Sequence, residues 1–316
     1  MRLLRSLMFV PGHSPRMVQR ALGVGEFTPS ALDVAILDLE DGVPPDEKDR
    51  ARASIAAVLG LPSNGEGPAR YVRVNRDPGE RDADLAAVLR PGLDGIVAPK
   101  IDHPDEVRSL ARDLDEREDA AGIARGSILV IASIESARGL LAAHAVAAST
   151  DRVIALLFGA EDFARDLSLP TEREAEAAEL VYARSAIVVA AVAARKHALD
   201  GIWADVADAA GLRRDALQGR RLGFVGKSLI HPAQIDACNE VFSPSPAEVS
   251  YARRVVDAFA EAQLKGHGAV ALDGKLLDPP IVERARQTLA LYDAVSRKQR
   301  TPPVERPAAL EGKRLK

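Results

Sequence analysis

Ile131-Ala-Ser-Ile-Glu-Ser-Ala-Arg138 and Leu156-Leu-Phe-Gly-Ala-Glu-Asp-Phe163 share one layout. Each is an apolar run that ends in small residues and then puts out a carboxylate, Glu135 in the first and Asp162 in the second. A strand covered on both faces reads as a near-continuous apolar run, so charge enters only where the strand emerges. In α/β folds ligands sit outside the C-terminal ends of such strands. Two carboxylates delivered from separate strands suit a divalent cation, because Mg²⁺ takes one or two protein carboxylates and leaves its other positions to substrate and water. Structural pairing of both acids with arginine fits the same spacing, and both readings stand at this level.

Working outward, the pattern repeats. On the N-terminal side lie Ser6-Leu-Met-Phe-Val10 closed by Pro11-Gly12, Val34-Ala-Ile-Leu-Asp-Leu39, Tyr71-Val-Arg-Val-Asn75 and Gly95-Ile-Val-Ala-Pro-Lys100. On the C-terminal side lie Asp200-Gly-Ile-Trp-Ala-Asp205 and Leu222-Gly-Phe-Val-Gly-Lys-Ser-Leu229. With the opening pair, read as strands over 128–134 and 153–158, these make eight strands. Ser14 followed by Pro15 starts a helix. Helical composition fills 46–59, 104–118, 137–149, 171–196 and 211–218, and 61–68 reads as a loop. Eight strands that all need crossover connections predict an α/β fold closed as a (β/α)₈ TIM barrel. The rival, an open doubly wound sheet, wants a Gly-rich turn after the first strand, and Pro11-Gly12-His13-Ser14 does not match it.

After the barrel come the rigid turn Phe242-Ser-Pro-Ser-Pro246, a helix over 248–264, a hairpin-like piece around Asp273-Gly274, and a last helix over 281–297. The expected organisation is therefore a catalytic barrel over 1–240, a C-terminal helix and lid extension over 241–300, and a disordered tail over 301–316.

Composition narrows the class. Of 316 residues 47% are hydrophobic and only 4% aromatic, which suits strands covered by Ala-rich helices. A net charge of −4 supplies no basic field for nucleic acid or an anionic membrane. One cysteine, Cys238, rules out a disulfide framework and reads as a core residue. No apolar run approaches the length of a signal peptide or membrane span, so a cytoplasmic protein is the expectation.

Asp38, Glu40, Asp41, Arg73, Lys100, Glu135, Asp162 and His231 gather at the expected C-terminal rim. So many ionisable groups at one rim are costly unless they pair or bind a metal. Arg73 reads either as a buried ion-pair partner or as a fork for a substrate carboxylate. Asp38, Glu40 and Asp41 exceed what one metal needs, so some of them are expected to orient Arg73 or Lys100. Arg16 and Arg20 share a face of the first helix, either as plain surface arginines or as phosphate contacts at the pocket mouth. His13, His103, His144, His197 and His267 read as surface or loop residues.

Several blocks together resemble one family. They are Arg5-Ser-Leu-Met-Phe-Val-Pro-Gly12, Leu37-Asp-Leu-Glu-Asp-Gly-Val43 with Lys48 and Ala51-Arg52, and Val72-Arg-Val-Asn75, followed by Ala98-Pro-Lys100, Ile134-Glu-Ser136, Phe158-Gly-Ala-Glu-Asp162, Gly223-Phe-Val-Gly-Lys227 and Ile230-His-Pro232. In this order they resemble the citrate lyase β-subunit-like (CitE-like) branch of the HpcH/HpaI aldolase superfamily, which includes malyl-CoA and citramalyl-CoA lyases. The match runs from Arg5 to Asp278.

The resemblance implies a Mg²⁺-dependent carbon–carbon lyase, with Mn²⁺ as a substitute ion, working as a homotrimer or hexamer. Glu135 and Asp162 would hold the metal, and Arg73 would clamp the carboxylate of an α-keto acid. Phe9, Arg16, Arg20, Ile230 and His231 fall where the family contacts the CoA part of an acyl-CoA substrate, with Arg16 and Arg20 in place of the more usual lysines. Leu277-Asp-Pro279 is similar to the lid through which a neighbouring subunit brings in a proton-transferring aspartate, here Asp278. Local sequence alone makes Asp278 a turn residue. Three alternatives remain: a pyruvate aldolase without CoA, a citrate lyase β subunit using an acyl-carrier-protein thioester, and a non-catalytic barrel. The first wants a histidine near Asp38-Leu-Glu-Asp41, where none occurs. Which keto acid is used, and whether thioester hydrolysis follows, stay open.

Overall fold

In the computed structural model, which describes residues 2–24, 31–61, 67–170, 177–264 and 269–300, eight parallel strands stand in chain order. They are β1 (Ser6–Pro11), β2 (Val34–Asp38), β3 (Ala69–Arg73), β4 (Gly95–Ala98), β5 (Leu129–Ile134), β6 (Val153–Phe158), β7 (His197–Asp200) and β8 (Gly226–Leu229). β8 pairs with β1, Met8 against Leu229, and closes the (β/α)₈ barrel that the alternation predicts. Around it run α1 (Pro15–Leu22), α2 (Lys48–Leu59), α3 (Pro78–Val88), α4 (Pro104–Ala121), α5 (Ala137–Ala147), α6 (Ala160–Asp166), α7 (Val181–Ala193), α8 (Ala209–Leu222) and α9 (Ile235–Val241).

Successive side chains of a strand point to opposite faces, and here that period of two sorts the apolar residues into two layers. Leu7, Val34, Ile36, Tyr71, Val97, Ile131, Ala155, Leu157 and Leu199 fill the barrel interior. Their neighbours Met8, Val10, Ala35, Leu37, Val72, Ile96, Ala98, Val130, Ala132 and Leu156 pack outward under the helices. Extending the interior phase along each strand brings Phe9, Asp38, Arg73, Ser133 and Glu135 to the inner side of the C-terminal rim. The site is thus a consequence of strand phase.

Several details differ from the sequence reading. β7 occupies His197–Asp200, with His197 paired to Ala155, so the expected strand at 200–205 lies three residues too late. Ile202 and Trp203 are apolar because they cover a cavity above the strand. α8 runs on to Leu222 and ends at Gly223, whose φ of +112° suits only glycine, so β8 is shorter than 222–229. α3 was not foreseen, although Asp77 caps it through Gly79 N and Pro78 opens it. Nor was α6, which puts Asp162 in a helical first turn rather than at a strand tip. The expected helix over 171–196 is α7 preceded by a 3₁₀ turn at Ala178–Leu180; residues 171–176 lie outside the described residues, as do 62–66, His267 and the tail over 301–316.

Arg2–Ser245 forms one compact unit and the chain from Pro246 a second. In the second, α10 (Pro246–Leu264) and α11 (Pro279–Arg300) flank a hairpin of β9 (Val270–Leu272) and β10 (Lys275–Leu277). Asp273 and Gly274 both take positive φ, as a two-residue hairpin turn requires. Leu277 is fully buried in this unit with Val255, Phe259 and Val282. The next residue, Asp278, caps α11 by accepting from Ile281 N at 3.2 Å. Among the described residues no helix is long and apolar enough to cross a membrane.

Candidate active site

Asp38 ends β2 and accepts four donors. They are Glu40 N and Gly42 N, each at 2.9 Å, and Arg73 Nε and Nη2 at 2.7 and 2.6 Å. A Cβ on Gly42 would stand 2.3 Å from Asp38 Oδ2, so this cradle needs glycine there. Arg73, the last residue of β3, lies with its guanidinium 4.6 Å from the centre of the Phe9 ring. Its Nη1 meets Glu40 Oε2 at 3.0 Å. Burial opposes the Arg73 charge, but hydrogen bonding to Asp38 and the charges of Asp38, Glu40 and Glu135 outweigh it and push its pKa up. Glu40 also meets Lys100, which reaches Asp41 Oδ2 at 2.7 Å. Lys48 Nζ donates to the carbonyls of Leu39 and Glu40 and to Asn75 Oδ1, fixing the backbone of this acidic turn.

Across the barrel mouth, Glu135 follows β5 directly and is 7% exposed. Its Oε2 is buried without a hydrogen-bond partner. Burial, then the charges of Glu40 and Asp162, push its pKa up to about 7 against the pull of Arg73 and Lys100. Asp162 on α6 pairs with Arg165 at 2.6 Å. Phe9, Arg73, Ser133, Glu135, Asp162 and Ile202 line a common cavity.

A buried carboxylate oxygen without a donor, beside a second carboxylate, fits a hard divalent cation bound through oxygen. Among the described residues no group of three or more His, Cys, Asp and Glu is arranged to hold a metal.

Glu135 owes its place to Gly159. A Cβ at Gly159 would lie 2.3 Å from Glu135 Cγ and 2.9 Å from Cδ. Gly159→Ala should therefore displace Glu135 at a cost of about 1–3 kcal/mol, the usual range for overpacking. The melting temperature should fall and its rise on adding Mg²⁺ should disappear. A G159A protein with the wild-type Mg²⁺-dependent rise would break this link.

The remaining sequence candidates sit outside this cavity. Arg16 and Arg20 are exposed on α1, and Ile230 and His231 are exposed after β8. Because β8 adjoins β1, both pairs leave the barrel at neighbouring points of the rim. His231 also uses Nδ1 to accept from Ala233 N at 3.2 Å, capping the turn that follows. Lys227, inside the Gly-Phe-Val-Gly-Lys block, is buried on Asp200 and Asp215 at 3.1 and 2.5 Å. Sequence reasoning missed Ser133, Ile202 and Ser228 as cavity residues. The interior phase of β5 gives Ser133; nothing local marks Ile202.

Residues 5–232 match the family model described as HpcH/HpaI aldolase/citrate lyase. The chain belongs to that family. The match covers every strand of the barrel and all the carboxylates above. Among relatives in this aldolase/citrate lyase family, the citrate lyase subunit beta of Haemophilus influenzae is 37% identical, covering 92% of this chain and 97% of its own. A (3S)-malyl-CoA thioesterase of Cereibacter sphaeroides is 35% identical, covering 92% of this chain and 95% of its own. CitE of Mycobacterium tuberculosis, solved with magnesium, acetoacetate and coenzyme A, superposes with a TM-score of 0.72 at 30% identity, covering 93% of this chain and 100% of that one. This chain is accordingly an enzyme of the lyase type.

Proposed function

We propose that this chain cleaves, and in reverse forms, the carbon–carbon bond of a 3-hydroxy-acyl-CoA whose hydroxyl carbon carries a carboxylate, releasing an acyl-CoA and an α-keto acid. The observation that carries the reading is one cavity that combines Glu135, whose Oε2 has no donor, Asp162 and the Arg73 guanidinium. Glu135 and Asp162 would hold Mg²⁺, with Mn²⁺ able to replace it. When bound, that ion polarises the oxygen at the carbon that becomes the keto carbon.

Arg73 would hold the substrate carboxylate on the edge that Asp38 leaves open, with Phe9 supporting the guanidinium face. Arg16, Arg20, Ile230 and His231 would contact the CoA portion along the exposed rim. Cleavage releases the hydroxyl proton as the alcohol becomes the keto oxygen and returns one proton to the departing thioester α-carbon; for that second transfer we assign Asp278 of a neighbouring copy in a homotrimer or hexamer, with residues 241–300 serving as the lid. Support for this assignment is the family resemblance at Leu277-Asp-Pro279 and the anchoring of Leu277.

The experiment that tests the reading supplies the protein with Mg²⁺, acetyl-CoA or propionyl-CoA, and glyoxylate, pyruvate or oxaloacetate in turn, and identifies products by mass. One pair should give the hydroxy-acyl-CoA, and no adduct from any pair would overturn the reading. Asp278→Asn should lower kcat by about 10²-fold or more, the usual range for losing a general acid, with little change in Mg²⁺ binding. Mixing it with an inactive Arg73→Ala protein should restore part of the rate, because mixed oligomers pair an intact Asp278 with an intact barrel. No restoration after subunit exchange would place the proton donor elsewhere.

A second reading is favoured by the 37% identity to a citrate lyase subunit beta: a thioester carried by an acyl carrier protein. Cleavage of free citryl-CoA by the isolated chain would separate the two.

A further inference from the structure

Arg73 presents its Nε/Nη2 edge to Asp38, at 2.7 and 2.6 Å. A substrate carboxylate can take the guanidinium as a fork only on the Nη1/Nη2 edge. Glu40 Oε2 stands 3.0 Å from Nη1, an ion-pair contact that a carboxylate arriving on that edge would meet. A substrate carboxylate there would repel a neighbour that is itself only 5% exposed, and a buried carboxylate drawn away from its cation is costly.

Lys100 supplies the alternative cation. Its Nζ lies 2.5 Å from Glu40 Oε1, on the other side of the same carboxylate. The Glu40 carbonyl is held by Lys48 Nζ at 2.8 Å, so only the side chain need turn. The placement of Lys100 is also paid for in backbone strain. β4 alternates with Val97 inward and Ile96 and Ala98 outward, so simple alternation would send residue 100 outward under the helices. Its φ of +51°, a region that non-glycine residues rarely enter, breaks the phase and turns the ammonium toward the acidic turn.

The geometry points to Lys100 as a positioning residue that takes charge of Glu40 when a keto-acid carboxylate takes Nη1 of Arg73, and so sets the affinity for that carboxylate. This rests on the reading of Arg73 as the carboxylate clamp. Lys100 touches no reacting atom; it acts through Glu40.

The test is pyruvate binding in the presence of Mg²⁺, followed by calorimetry, with melting temperature and kcat alongside. Lys100→Met keeps the length of the side chain and removes the charge. It should weaken pyruvate binding about tenfold, the scale of one hydrogen bond to a charged group. KM for the keto acid should rise more than kcat falls. Adding Glu40→Gln in the same chain removes the competitor, and binding should return to within about threefold of wild type. A merely structural lysine would lower the melting temperature and show no such rescue. Unchanged binding in K100M, or weakened binding that E40Q does not rescue, overturns the inference. Arg73→Ala separates the two levels. If it abolishes pyruvate binding while K100M leaves it intact, only the role of Lys100 fails. If it leaves pyruvate binding intact, the carboxylate clamp fails and this inference with it.

Discussion

A Glu135→Gln protein should lose turnover by at least about 10³-fold, some 4 kcal/mol of barrier, yet melt above wild type when both are free of metal. Both halves come from the same features. The substitution keeps the shape of a side chain wedged against Gly159 and removes its charge. In the metal-free protein that charge is a liability, because Glu135 is 7% exposed, its Oε2 has no donor, and Glu40 and Asp162 repel it. Relieving it should return on the order of 1 kcal/mol, or about 2–4 °C in a barrel of this size. With Mg²⁺ present the order should reverse, since an ion bound only by the native state raises the melting temperature and the variant would lack one of the two proposed ligands. Scanning fluorimetry with and without Mg²⁺ reads both effects. A variant that still gains stability from Mg²⁺ would remove Glu135 from the metal site.

How far the sequence carried this result depends on what each residue was doing. Strands buried on both faces advertise themselves, and the interior phase of β2, β3 and β5 gives Asp38, Arg73 and Glu135 their common side. The misplaced β7 has a plain cause. Ile202 and Trp203 are apolar because they roof a cavity, and an apolar run beside Asp200 imitates a strand. α6 is seven residues long, too short for a periodic signal, so its possession of Asp162 was invisible. The charge of Lys100 was legible but its inward turn was not, because that depends on a φ of +51° that no local residue preference demands. Nor did spacing reveal that Arg73 is held along one edge by Asp38 with Glu40 close to Nη1. Partner choice among several nearby acids is decided by three-dimensional closure of the barrel.

Arg73→Ala is the second large effect, and its stability change should have the opposite sign. Arg73 compensates Asp38 and Glu40, whose side chains are 3% and 6% exposed. Removing one partner of a buried ion pair typically costs about 3–5 kcal/mol, because the other charge stays buried and unpaired. Lys100 still serves Glu40, and two backbone amides still serve Asp38, so the loss should fall toward the lower end of that range. Turnover should drop by about 10³-fold or more if Arg73 is, as proposed, the fork that fixes the keto-acid carboxylate. Arg73→Lys is the sharper probe. A lysine keeps the charge but is a point donor on a flexible stem, unable to face Asp38 with two parallel bonds and still offer an edge to substrate. It should recover most of the lost stability and little of the lost kcat/KM. Metal-dependent stabilisation should survive in both variants, because neither alters Glu135 or Asp162. Two inactive proteins, E135Q stabilised and blind to Mg²⁺, R73A destabilised and responsive to it, would separate the cation half of the site from its carboxylate half. If R73K restored catalysis along with stability, a fixed charge would suffice at this position and the bidentate clamp would be wrong.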